Sequence, residues 1–166
     1  MKAIVYTSNT GYTARYAALL GERTGLPVCE LPQAKERLGR GDAVLYLGWL
    51  RAGGITGLKQ ARRLWDVRAV CAVGMAEPDP KMEEKLAREN RLGGIPLFYL
   101  RGGYDGAALR GINRMMMSFM EKSLEMASQR EHETEAREML EAVKHGGNWV
   151  SPERLSPVLA WLEGAV

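Results

Sequence analysis

The sequence predicts an α/β protein in three layers, a parallel sheet covered on both faces by helices. Three observations predict it. Short apolar runs alternate along the chain with helical patterns, as they do where parallel strands are joined by crossover helices. The run at 42–48 is almost continuously apolar, as a strand buried on both faces must be. The opening run ends in a turn of hydroxyls around one glycine and passes straight into a helix. At 166 residues, 46% of them hydrophobic, the chain can bury a sizeable core and reads as a single domain over 1–166.

The elements follow in order. Residues 2–6 form the first strand. A helix runs from Tyr12 to about Arg23, with Tyr16, Ala17 and Leu20 on one side and Gly25 as its stop. Residues 27–31 read as a short edge strand, because proline at its start suits an edge. Residues 33–38 are at most a short helix. After the strand at 42–48, residues 49–57 read as a loop, and Leu58, Ala61, Leu64 and Trp65 recur at helical spacing. Residues 68–74 form the fourth strand and 75–78 a loop. Asp79-Pro80 then opens a helix as cap and first residue. Met82 and Leu86 face inward on it, and Gly93-Gly94 stops it. Residues 96–100 form the fifth strand. Residues 104–147 read as a helical insertion. Asp105 caps a long helix with Leu109, Ile112, Met116, Phe119, Ser123 and Ala127 on one face, broadened by Met115, Met117 and Met120. A second pattern carries Ala136, Met139, Leu140 and Val143 and ends at His145-Gly146-Gly147. Ser151-Pro152 opens the closing helix, with Leu155, Val158, Leu159 and Leu162 inward.

The turn after the first strand carries the chemistry. The first N–H groups of a helix have no partner within it, and the helix dipole adds partial positive charge there. A phosphate seated at that end takes those hydrogen bonds. Ser8, Thr10 and Thr13 add hydroxyl donors, and Gly11 permits close backbone approach. A capped helix with no ligand needs one such residue rather than three. The turn is no Walker A, since no Gly-Lys-Ser/Thr follows, and it lacks three-glycine dinucleotide spacing.

Ser8-Asn9-Thr10-Gly11-Tyr12-Thr13 after a first strand resembles the phosphate loop of flavodoxins, (S/T)-x-T-G-x-T. The resemblance covers nearly all of the chain outside 104–147. It implies a flavodoxin-like sandwich with five parallel strands in order 2-1-3-4-5, FMN as cofactor and electron transfer as function. It also implies that Thr7, Ser8, Asn9, Thr10, Gly11, Tyr12 and Thr13 hold the phosphate. Trp49, Leu50, Arg51, Ala52 and Gly53, with Gly74, Met75, Ala76 and Glu77, then hold the flavin ring. Topology points to the same edge, because ligands of such sheets bind beyond the carboxyl ends of the strands at the switch point. Trp49 would lie along the ring with Leu50 beside it, and Gly53 and Gly54 would let a backbone carbonyl reorient toward the flavin.

Two features depart from the family. The 75–78 loop has no aromatic residue, which leaves Tyr104 as the alternative for the outer ring face. Many flavodoxins are strongly acidic, whereas this chain carries a net charge of +3. The glycine pair and Met-rich helix after the fifth strand resemble bacterial flavodoxin-type, menaquinone-dependent protoporphyrinogen oxidases. That implies the alternative of an FMN-dependent oxidoreductase acting on a bulky or quinone-linked substrate. A redox partner protein, reductase or acceptor, is expected in the first case. Arg110 and Arg114 beside the Met cluster suit a peripheral membrane, partner or homodimer contact.

Other classes are disfavoured. No basic block suits nucleic acid, and no apolar run of eighteen residues suits a membrane span. Cys29 and Cys71 sit in strand-like runs and read as buried thiols of a cytoplasmic protein. His132 and His145 have polar surroundings and no metal-ligand spacing, and there is no nucleophile elbow. Arg51 reads either as a flavin or acidic-substrate contact or as a solvated arginine.

Overall fold

The computed structural model describes residues 1–105 and 134–164. In chain order its elements are β1 (Ala3–Tyr6), α1 (Tyr12–Thr24), β2 (Val28–Glu30), α2 (Leu31–Arg37), β3 (Ala43–Arg51), β4 (Gly54–Ile55), α3 (Leu58–Leu64) and β5 (Asp66–Gly74). There follow α4 (Pro80–Glu89), β6 (Leu97–Arg101), β7 (Gly103–Tyr104), α5 (Thr134–His145), β8 (Gly147–Asn148), a 3-10 turn (Pro152–Leu155) and α6 (Ser156–Gly164).

The main sheet runs β2-β1-β3-β5-β6, all parallel. It holds six strands rather than the five expected, because β4 folds back antiparallel on the end of β3. This corrects the reading of 49–57 as a loop: Trp49, Leu50 and Arg51 continue the central strand. A second, two-stranded antiparallel sheet pairs β7 with β8.

Strand alternation divides the core into two layers. Val5, Val44, Tyr46, Val70, Ala72 and Tyr99 face Ala34, Leu58, Ala61 and Leu86 of α2, α3 and α4. Ile4, Leu45, Leu47, Ala69, Cys71, Val73 and Leu100 face Tyr16, Ala17 and Leu20 of α1 and Val158 and Leu162 of α6. Burying each of the larger aliphatic side chains contributes about 1.5–3 kcal/mol. Both cysteines are buried free thiols. Phe98 and Trp161 close the outer end of the second layer with ring centroids 6.2 Å apart.

The helix ends follow local chemistry. Gly25, in the left-handed region at φ 69°, closes α1 by donating its N–H to Gly21 O. Asp79 caps α4 by accepting from Lys81 N at 3.1 Å, with Pro80 in the first turn. The closing helix begins later than its proline signal suggests, because residues 152–155 wind as a 3-10 turn.

The β7–β8 pair brings the two ends of the insertion together, Gly103 against Asn148 and Tyr104 against Gly147. Tyr104 is buried in this stem rather than displayed at the sheet edge. The Met-rich helical face, Arg110 and Arg114 lie outside the described residues. Among the described residues no helix is long and apolar enough to cross a membrane.

Candidate functional site

The loop of residues 7–13 leaves the carboxyl end of β1 and enters α1 directly. Gly11 sits at the helix start with φ 91°, a left-handed conformation that glycine adopts without penalty. Among the described residues, chain neighbours and the helix's own backbone aside, no atom lies within 4 Å of where a side chain would begin. The Ser8 hydroxyl oxygen accepts from Gly11 N at 3.1 Å and Ala14 N at 3.4 Å. A hydroxyl that accepts twice still has its own proton to donate, so Ser8 both caps the turn and keeps a donor. Thr13 is 2% exposed and Asn9 lies at the surface. The first turn of α1 carries no acidic residue.

Thr7 and Tyr12 do other work. The Thr7 hydroxyl donates to Thr56 O at 2.9 Å and lies 3.2 Å from the Tyr46 hydroxyl, which donates to Thr56 O at 2.7 Å. Thr7 therefore ties the loop to the segment after β4 instead of facing the open side. Burial pushes the Tyr46 hydroxyl up to about 12. The Tyr12 ring lies against Gly103 and its Cβ against Gly102, and its hydroxyl donates to Tyr104 O at 3.3 Å. Glycine is required at 103, since a side chain there would run into the Tyr12 ring and Gly147 O. Desolvation, then the nearby Asp105 carboxylate, raises the Tyr12 pKa.

Trp49 and Leu50 flank the same edge from β3. Alternation sets Trp49, which pairs with Val73, on the face of Leu45 and Leu47, the face that α1 covers. Its indole is half-buried. Leu50 belongs to the opposite layer. The hairpin turns at Ala52 (φ 47°) and Gly53 (φ 79°), the paired left-handed residues that two-residue hairpins favour. Asn90 clamps this tip: its amide donates to Gly53 O and Leu86 O, each at 2.9 Å, and accepts from Ile55 N at 2.8 Å. The Gly53 carbonyl is thus held by a side chain rather than free to turn.

The loop after β5 completes the edge. Gly74 O accepts from Gly102 N at 2.7 Å, Met75 O from Arg101 Nε at 3.0 Å and Ala76 O from the Tyr99 hydroxyl at 2.9 Å. Glu77 forms an ion pair with Arg101, and its other oxygen lies 3.5 Å from Arg154. Burial raises the Tyr99 pKa.

The fold thus brings the ends of β3 and β5, with the loops that follow them, and the hydroxyl loop to one edge of the sheet. Thr7 and Glu77 are committed to protein partners there. Sequence reading passed over Arg101, Trp149, Asn90 and Thr56. Arg101 ends an apolar run, a position where a strand enters the site edge; the other three carry no local signal. Among the described residues no group of His, Cys, Asp and Glu is arranged to hold a metal.

What the loop offers an anion is the Ser8 hydroxyl, a left-handed glycine at the helix start and a first helical turn without acid; Thr13 is buried beside them. Comparisons with known protein families, with curated proteins and with solved structures each return no match to this chain.

Proposed function

We propose that this chain is a flavodoxin-like FMN-binding protein that carries electrons between protein partners. The observation that carries the reading is the hydroxyl-lined loop 7–13, open at Gly11 and set at the carboxyl edge of a parallel sheet. Bound FMN would supply the electron transfer. Ser8, Thr10, Thr13 and the first N–H groups of α1 would take the phosphate charge. The half-buried Trp49 indole would lie along the ring, a contact of about 1 kcal/mol beyond its buried area. The hairpin and the 75–77 loop would exclude water from the ring edge. A reductase or acceptor protein is the partner; nucleic acid is not.

A second reading is an FMN-dependent oxidoreductase acting on a bulky or quinone-linked substrate. It is favoured by the insertion stem, which meets the phosphate loop through the Tyr12 hydroxyl on Tyr104 O. Purified protein titrated with FMN tests the shared core of both. Replacing Thr10→Ala and Thr13→Ala together removes two donors to a charged group, each contributing about 1.5–3 kcal/mol. FMN affinity is expected to fall at least a hundredfold, while affinity for riboflavin, which lacks the phosphate, stays within threefold. Unchanged FMN affinity rejects the site. Turnover of quinone or porphyrinogen by the loaded protein alone selects the second reading; reduction by a partner reductase without such turnover selects the first.

A further inference from the structure

Arg101 is 6% exposed at the end of β6, and its surroundings account for its burial. A buried guanidinium is unfavourable by several kcal/mol unless its donors are met. Its Nε donates to Met75 O, one terminal nitrogen pairs with Glu77, and the other lies 3.9 Å from Glu138 of α5. Its plane rests over Trp149, 4.1 Å from the ring centroid. Its own carbonyl is fixed by the Tyr16 hydroxyl at 2.6 Å. With Tyr99 on Ala76 O, three successive residues of the 75–77 loop are held from β6. Two of the groups around Arg101 come from the insertion stem and its flank, Glu138 on α5 and Trp149 after β8, and two from the 75–77 loop itself, Met75 O and Glu77. The carboxylates of Glu77 and Glu138 are both more than half exposed, so neither alone holds the guanidinium in place.

We propose that Arg101 is the positioning residue of the 75–77 wall of the flavin cleft, and that it transmits the placement of the insertion stem to that wall. This rests on the FMN reading. The side-chain partners of Arg101 among the described residues, Met75 O, Glu77, Glu138 and Trp149, lie outside the hydroxyl loop, so its effect is expected at the ring end. Lysine at this position keeps the charge but loses the fork that reaches Met75 O and both carboxylates.

The test measures dissociation constants for FMN and for riboflavin in the full-length wild type, Arg101→Gln, Arg101→Lys and Glu77→Gln. In Arg101→Gln both affinities are expected to fall at least tenfold while the ratio of FMN to riboflavin affinity holds, because the phosphate end is untouched. Arg101→Lys should recover part of the loss. Glu77→Gln removes one anchor from an exposed side chain and should fall in between; it decides the matter by the same criterion if Arg101→Gln does not fold. Wild-type affinities in the folded variants, even with a lowered melting temperature, make Arg101 a structural bolt and overturn the inference while the FMN reading stands. Collapse of the ratio also overturns it, placing the effect at the phosphate loop. A wild type that binds neither flavin overturns both.

Discussion

Replacing Asn90→Ala should loosen the β3–β4 hairpin selectively. Three hydrogen bonds leave with the amide, to Gly53 O, Leu86 O and Ile55 N. Each contributes about 0.5–1.5 kcal/mol net, so the loss sums to about 1.5–4.5 kcal/mol. For a chain of this size one kcal/mol moves the melting temperature by roughly 2–4 °C, and a mid-range loss of about 3 kcal/mol lowers it by roughly 6–12 °C. Asn90→Asp separates the contributions. The carboxylate still accepts from Ile55 N, but it cannot donate, and it sets an oxygen against the Gly53 and Leu86 carbonyls. Its loss should equal or exceed that of alanine despite its matching shape. Urea unfolding gives the totals, and amide exchange at Ile55 reports the local effect: fast in the alanine variant, protected in the aspartate variant. Ile55 protection unchanged in Asn90→Ala would refute the clamp.

Three further outcomes follow from the same geometry. Burial pushes the Tyr46 hydroxyl from its ordinary value of 10.0 up to about 12, so its contribution should be complete below pH 10 and lost as pH rises toward 12. Tyr46→Phe should flatten the alkaline fall in stability measured by urea unfolding between those limits. Ser8→Ala removes the acceptor for Gly11 N and Ala14 N and should lower stability by about 0.5–2 kcal/mol in the absence of any ligand. Gly103→Ala forces a side chain onto the Tyr12 ring and Gly147 O, and should weaken the stem, seen as faster amide exchange at Gly147 and Tyr104.

Much of this architecture is legible in sequence because its cause is local. The five parallel strands are apolar runs whose alternation or continuity survives in the one-letter text. Asp79-Pro80 and Gly25 state their caps outright. The hairpin at 49–55 was hidden because Ala52-Gly53-Gly54 reads as a flexible loop, yet Trp49 and Leu50 prolong the apolar run and mark where the strand continues. At the site, the hydroxyl loop was legible as a motif, but the division of labour within it was not. Thr7 is claimed by Tyr46 and Thr56, which lie 39 and 49 residues away. Glu77 is claimed by Arg101, 24 residues on, and Asn90 reaches back 37 residues to Gly53. Such pairings depend on packing between elements, which composition and periodicity do not encode.

The central claim is that a flavin phosphate seats at residues 7–13. A visible absorption spectrum of the purified protein after addition of FMN and removal of free ligand tests it most directly. The account predicts a retained yellow flavin spectrum that disappears in the Thr10→Ala, Thr13→Ala double variant. A colourless wild type, or equal retention by the double variant, contradicts it.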